Sequence, residues 1–117
     1  MAPRPSAPRQ GDALWFRFHP QAGHEQRGWR SGVVVSPRAF NQKTGLALIC
    51  PVTNQAKGYP FEVSLDAVPE LSGVILADQV RSLDWHARAG DPITRIPEPL
   101  WADLVARIRP LLEPADY

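Results

Sequence analysis

The sequence predicts a mainly β domain with some α: a small, strongly curved antiparallel sheet or barrel, with one short helix and a C-terminal α-helix. Three observations carry this. Short apolar runs recur along the chain with polar turn signals between them, the pattern of closely spaced antiparallel strands. Thirteen prolines against eight glycines break the chain into short elements. Helical periodicity is sustained only near the end, from Pro99 to Ile108.

At 117 residues the chain is long enough for one domain with its own core. Its apolar share of 44% is ordinary for a globular protein, and no apolar run approaches the roughly 20 residues that span a bilayer. The first ten residues have no apolar core and therefore do not form a secretory signal. The single cysteine, Cys50, rules out an internal disulfide and fits a reducing, cytoplasmic setting. One cysteine and three scattered histidines do not make a zinc site, and neither a metal nor a cofactor is expected. With a net charge of +1, any polyanion would have to be held by local arrangement rather than by a globally basic surface.

Residues 1–10 alternate proline with small or basic residues and read as a disordered tail, leaving residues 11–117 as the domain. In Asp12–Phe18 the alternation puts Leu14, Phe16 and Phe18 on one face and Ala13, Trp15 and Arg17 on the other. His19-Pro20 stops that strand. Gly32–Ser36 is a β-branched run expected to be a buried strand. Ser36–Phe40 reads as one helical turn, with Ser36 as cap and Pro37 at the first helical position, followed by a polar turn over Asn41–Gly45. Leu46–Thr53 is the most apolar strand, and Pro51 within it implies a bulge or an edge. Pro60–Leu65 alternates as a strand, and Gly73–Leu83 reads as one long strand interrupted at Asp78 and Gln79. In the final helix Leu100, Leu104, Val105 and Ile108 share a face. Glu98 and Arg107/Arg109 suit its dipole, and Pro110 should bend or end it.

Three polar sets interrupt strands or stand at their ends: the glycine-bounded loop Gly23–Arg30, the strand end Thr53-Asn54-Gln55, and Asp78-Gln79. On composition alone the first is an ordinary solvated loop. Buried polar groups need partners, so the three sets could equally satisfy one another structurally. Trp29 and Trp85 read as packing residues, and Cys50 as a buried apolar one. The chain has no glycine-rich phosphate loop and no nucleophile elbow, and its carboxylates are too scattered for a two-metal nuclease.

Three longer runs then align with one family. They are Gly11-Asp12…Trp15 with Gly23-His24-Glu25-Gln26…Gly28…Arg30; Asn41…Lys43-Thr44-Gly45 with Thr53…Gln55…Lys57-Gly58-Tyr59-Pro60-Phe61-Glu62-Val63; and Leu76-Ala77-Asp78-Gln79-Val80 through Trp85…Arg88. Over about residues 11–109 the chain resembles the MazF/PemK toxins of bacterial type II toxin–antitoxin systems, and the K-G-Y-P-F-E-V and L-A-D-Q-V runs bring it nearer the MazF branch. The resemblance implies an SH3-like β-barrel with a C-terminal helix, a homodimer, and metal-free cleavage of single-stranded RNA by attack of the ribose 2′-hydroxyl on the adjacent phosphate. Such chemistry needs a base, an acid and fixed positive charge on the phosphate.

By resemblance Arg30 supplies that charge and is a candidate donor of the leaving-group proton, and Thr53 offers a hydroxyl to the phosphate. Glu25 is the candidate to orient Arg30 or act as base. His24 and Asp78 match groups used in the PemK branch, although the arginine expected two residues before Asp78 is Leu76 here. Gln26, Asn41, Lys43, Gln55, Lys57 and Gln79 are the expected RNA contacts, amides for base edges and lysines for phosphates. The implied partners are mRNA and a cognate antitoxin whose C-terminal segment should be acidic, since it must occlude a site made for phosphate. No membrane partner is implied. The chain departs from the family pattern at Ser31, where proline is usual, and at His19, where an acidic residue often stands. The rival expectation is a catalytically silent member of the same fold that only binds a protein, as gyrase-poisoning relatives do.

Overall fold

The computed structural model describes residues 6–18 and 28–113. Seven strands form one antiparallel sheet: β1 (Asp12–Arg17), β2 (Trp29–Val34), β3 (Leu46–Thr53), β4 (Glu62–Ser64), β5 (Val74–Leu76), β6 (Arg81–Asp84) and β7 (Ala89–Arg95). Among the described residues three full helices accompany them: α1 (Arg38–Thr44), α2 (Trp85–Arg88) and α3 (Glu98–Leu112). The path β4-β5-β3-β2-β1-β7, with β6 also on β3, does not close, so of the two expected forms the curved sheet is the one adopted.

The sheet buries both faces, which follows from alternation along β1. Leu14, Phe16 and Phe18 enter a core with Val34, Ala47, Ile49, Leu83 and Trp85. Ala13 points the other way, with Val33, Cys50 and Val52, into a core completed by Val63, Leu65, Ile75 and Leu104. Leu104 is the fully buried anchor of α3, and Leu100, Trp101 and Ile108 pack around it. The helix runs through Pro110 to Leu112, beyond the expected stop. In the last turn proline deletes one backbone bond only, and the Glu113 N–H closes the helix on the Arg109 carbonyl.

Pro51 is neither at an edge nor in a bulge. β3 pairs with β2 along one side, through Gly32↔Pro51, Val33↔Cys50 and Val34↔Ile49. On the other side β6 pairs up to Ile49 and β5 begins at Val52. Pro51 falls in the gap between those two partners, where its missing N–H removes no ladder bond. The expected long strand at Gly73–Leu83 is likewise two, because the chain turns at Ala77-Asp78 and changes partners along β3.

The N-terminal segment also differs from expectation. Ala7 and Pro8 are buried, Arg38 Nε donates to the Ala7 carbonyl, and Asn41 Nδ2 donates to the Pro8 carbonyl at 2.9 Å. Ser36 does not cap α1. Its hydroxyl donates to Asn41 Oδ1 and accepts from the Leu48 N–H, tying the helix to β3. Asn41 belongs to α1 rather than to a turn, and Gly45 ends that helix in the left-handed conformation that favours glycine.

Asn41 is 0% exposed and its amide is fully bonded, so it holds the fold together and does not face RNA. Asn41→Ala is expected to cost about 2 kcal/mol, because it leaves the Pro8 and Ser36 acceptors buried without donors. Urea unfolding measures that loss, while RNA binding by the remaining folded protein should not change.

Candidate active site

The sheet register brings Arg30 and Thr53 together across 23 positions of sequence. The β2–β3 ladder ends at Gly32↔Pro51, two residues short of both Arg30 on β2 and Thr53 at the end of the central strand. Both line a cleft of about 340 Å³ with Trp15, Trp29, Ser31, Val52, Asn54, Gln55, Glu70, Leu71 and Ser72.

Local bonds fix the Thr53 side of the cleft. Thr53 Oγ1 accepts from the Gln55 N–H at 3.1 Å, which leaves the hydroxyl proton to be donated into the cleft. Asn54 Oδ1 accepts from the Ser72 hydroxyl at 2.8 Å. Gly73, with φ +94°, lies so close that a Cβ there would stand 2.1 Å from the Thr53 carbonyl oxygen. The following loop is held by Glu62, whose carboxylate accepts from the Lys57 N–H at 2.9 Å and the Gly58 N–H at 2.9 Å. Arg107, paired with Asp103 at 3.1 Å, donates to the Pro60 carbonyl and ties the same loop to α3.

Arg30 is exposed at the start of β2, between the half-buried Trp29 and Ser31. A guanidinium there can present two parallel N–H donors to a phosphate and stays charged at any physiological pH. Ser31, the position where proline is usual, sits within the β1–β2 ladder opposite Trp15, so the strand forms without that proline.

Of the other expected site residues, Gln55 lines the cleft, and Lys57 is exposed in the loop just beyond it. His24, Glu25 and Gln26 lie outside the described residues, as does His19. Asp78 and Gln79 are exposed in the β5–β6 turn and do not line the cleft. Lys43 is in the last turn of α1, at the opposite end of β3 from Thr53; the seven residue steps of that strand span about 24 Å. Trp85 is a packing residue as expected, its Nε1 donating to the Asn41 carbonyl at 2.7 Å. Trp29 is more than packing, because it borders the cleft. Reasoning from sequence missed Trp15 and Glu70 as cleft residues. A large tryptophan beside Arg17, on the face of β1 opposite Leu14 and Phe16, was a usable signal for Trp15, whereas nothing in the chain around Glu70 marks it. Among the described residues no group of three or more His, Cys, Asp and Glu is placed to hold a metal ion.

Cys50, within β3, is fully buried, and its thiol is pushed up to about 12, first by burial and second by the nearby Asp78 carboxylate. The folded state therefore keeps the Cys50 proton where the unfolded chain, titrating near 9.0, releases it. The resulting stability is fully present below pH 9 and declines as pH rises from about 9 toward about 12. Comparing melts of wild type and Cys50→Ala over pH 8–11 should show the wild type losing about 1 kcal/mol more per pH unit above 9.

An antiparallel sheet whose central strand ends in an arginine–hydroxyl cleft, with a C-terminal helix packed on one of its cores, defines a small β-rich domain class. The family described as PemK-like, MazF-like toxin of type II toxin–antitoxin system matches residues 9–112. The chain is 53% identical to the endoribonuclease toxin MazF of Escherichia coli strain K12 over 81 residues, 69% of this chain and 72% of that protein. It is 38% identical to the Escherichia coli endoribonuclease PemK over 113 residues, covering 93% of this chain and 85% of the relative. A MazE–MazF crystal structure from Deinococcus radiodurans superposes with a TM-score of 0.81 at 46% identity, over 91% of this chain and 96% of that one. The protein belongs to the PemK/MazF-like toxin family of type II toxin–antitoxin systems. No helix among the described residues is long and apolar enough to cross a membrane.

Proposed function

We propose that this chain is the toxin of a type II toxin–antitoxin pair and a sequence-specific, metal-independent endoribonuclease acting on single-stranded mRNA in the cytoplasm. The observation that carries the reading is the convergence of Arg30 and Thr53 on one cleft at the end of β3, in a chain whose curated relatives are named endoribonucleases.

In this scheme the ribose 2′-oxygen attacks the adjacent phosphorus and gives up its proton to a base. Glu25 and His24, on the segment leading into Arg30, are the candidates. The new O2′–P bond forms as the P–O5′ bond breaks, and the departing oxygen takes a proton from an acid, for which Arg30 is the candidate. The products are a 2′,3′-cyclic phosphate and a 5′-hydroxyl. Arg30 holds the phosphate oxygens as charge builds on them, and the Thr53 hydroxyl adds a donor at the same atoms. Gln55 and Lys57 follow Thr53 along the strand end and meet the flanking nucleotides, a base edge and a phosphate respectively. The protein works as a homodimer. An antitoxin whose C-terminal segment is acidic silences it by occupying the same cleft, as the charge of Arg30 favours.

Incubation with a long single-stranded RNA in EDTA, followed by mapping of 5′ ends, tests the proposal. Fragments with 5′-hydroxyl ends at one recurring short sequence are expected. Cutting that requires added metal, or no cutting at all, would refute it and favour a silent binding module.

A further inference from the structure

Beside the cleft lies a second one, of about 590 Å³, lined by Trp15, Trp29, Gly90 and Asp91. Both tryptophans border both clefts, so the two clefts adjoin at these residues. Trp29 is fixed in place. It pairs with Arg17 across the β1–β2 ladder, and the Arg17 guanidinium lies 5.5 Å from its ring centroid. It also rests on β7, where a Cβ at Gly90 would come within 2.7 Å of Cζ3, so glycine is what lets the indole reach the backbone. Trp15 stands differently: it is 44% exposed, on the same face of β1 as Ala13 and opposite Ser31. A half-exposed indole forgoes burial that would stabilise the fold, and an aromatic face open beside a phosphate-handling cleft suits stacking on an RNA base.

The rim of this second cleft decides what enters it. Among the described residues its one ionisable lining side chain is Asp91, exposed at the irregular start of β7, where the register against β1 shifts. A carboxylate repels a phosphate and accepts hydrogen bonds through two oxygens. Among the four RNA bases only guanine presents two adjacent donors on one edge, N1–H and the N2 amino group. Adenine and cytosine offer one exocyclic amino group beside an acceptor, and the uracil imino group is flanked by two acceptors.

Resting on the nuclease reading above, we infer that the Trp15–Asp91 cleft is a nucleobase subsite next to the scissile phosphate, with Trp15 as its stacking platform and Asp91 selecting guanine. The residues that build it lie on β1, β2 and β7, so it is a separate recognition element from the Gln55–Lys57 strand end.

The test maps 5′-hydroxyl ends across one long RNA for wild type, Asp91→Asn and Trp15→Ala, with the oligomeric state of each measured in parallel. Wild type is expected to favour guanine at one position within two nucleotides of the cut. Asparagine offers one acceptor and one donor, so Asp91→Asn should lower cutting at those guanine sites by about tenfold or more relative to sites carrying another base there. Trp15→Ala should raise KM about tenfold or more with little change in kcat, and Trp15→Phe should recover much of the loss. A wild type that cuts with no guanine preference near the break, or an Asp91→Asn profile that matches the wild type, overturns the inference and leaves the nuclease reading standing. A Trp15→Ala variant that changes subunit assembly but not KM assigns that indole to a protein contact and overturns its stacking role. If the wild type cuts no RNA, both readings fall together.

Discussion

Arg30→Ala is expected to slow RNA cleavage by about 10³-fold or more while leaving the fold intact. Removing one pre-positioned donor from a developing oxyanion typically costs about 10²–10³ in rate, and Arg30 is proposed to supply both a paired donor and the fixed charge. A 10³-fold loss corresponds to about 4 kcal/mol of transition-state stabilisation. Little stability should go with it, because Arg30 is exposed at the first residues of β2 and the sheet cores lie on other side chains. Lysine keeps the charge but not the planar fork, so Arg30→Lys should recover only a small part of the rate. Thr53→Val should cost about 10²-fold and Thr53→Ser much less, since serine keeps the donated hydroxyl. Single-turnover cleavage of a mapped RNA substrate, beside thermal melts, separates rate from folding. An Arg30→Ala variant that cuts at the wild-type rate would show that the chemistry lies elsewhere.

Gly73→Ala should be the most damaging small substitution in the chain, at about 3 kcal/mol. Two costs combine. A φ of +94° is a conformation that alanine rarely adopts, worth about 1–2 kcal/mol by itself. The new methyl would also collide with backbone atoms that cannot rotate away, 2.1 Å from the Thr53 carbonyl oxygen and 2.8 Å from its carbon. Relief requires β5 to draw back from β3, which breaks the Thr53↔Val74 pairing and shifts Thr53 in the cleft. Stability and cleavage should therefore fall together. Gly45→Ala is the control, because Gly45 has φ +76° but nothing within 4 Å of an added Cβ, so only the conformational cost of about 1 kcal/mol applies. Urea unfolding distinguishes them; equal losses for the two variants would mean that the contact with Thr53 does not matter.

Most strands were legible because their alternation is regular. The opposed burial of Ala13 against Leu14 and Phe16 is what the β1 pattern predicts, and β3 has the expected bounds. β7 escaped notice because Ala89-Gly90-Asp91-Pro92 carries none of the usual strand signals. A strand that among the described residues pairs with β1 alone tolerates proline and an irregular register that an interior strand would not. Pro51 misled in the opposite sense, since a proline in a central strand is harmless only where partner strands change over. The Ser36–Asn41 pair was misread for a related reason. A serine before proline suggests a cap and Asn41 a turn residue facing RNA, whereas here Ser36 bonds to Asn41 and to β3, and Asn41 bonds to the incoming N-terminal segment.

The amino-acid sequence by itself determined the fold class and the family, because alternation and motif spacing are properties of the linear chain, and the family resemblance in turn singled out Arg30 and Thr53 as the pair to watch. Which polar residues share a surface was decided only by the tertiary structure. The register of β2 on β3 sets Arg30 and Thr53 at one cleft, while the turn after β5 leaves Asp78 and Gln79 outside it, and α1 buries Asn41 altogether. The second cleft could not have been read from the chain at all. Trp15, Trp29 and Asp91 come from three strands that meet only when the sheet is formed, and Gly90 matters only because an indole lies against it.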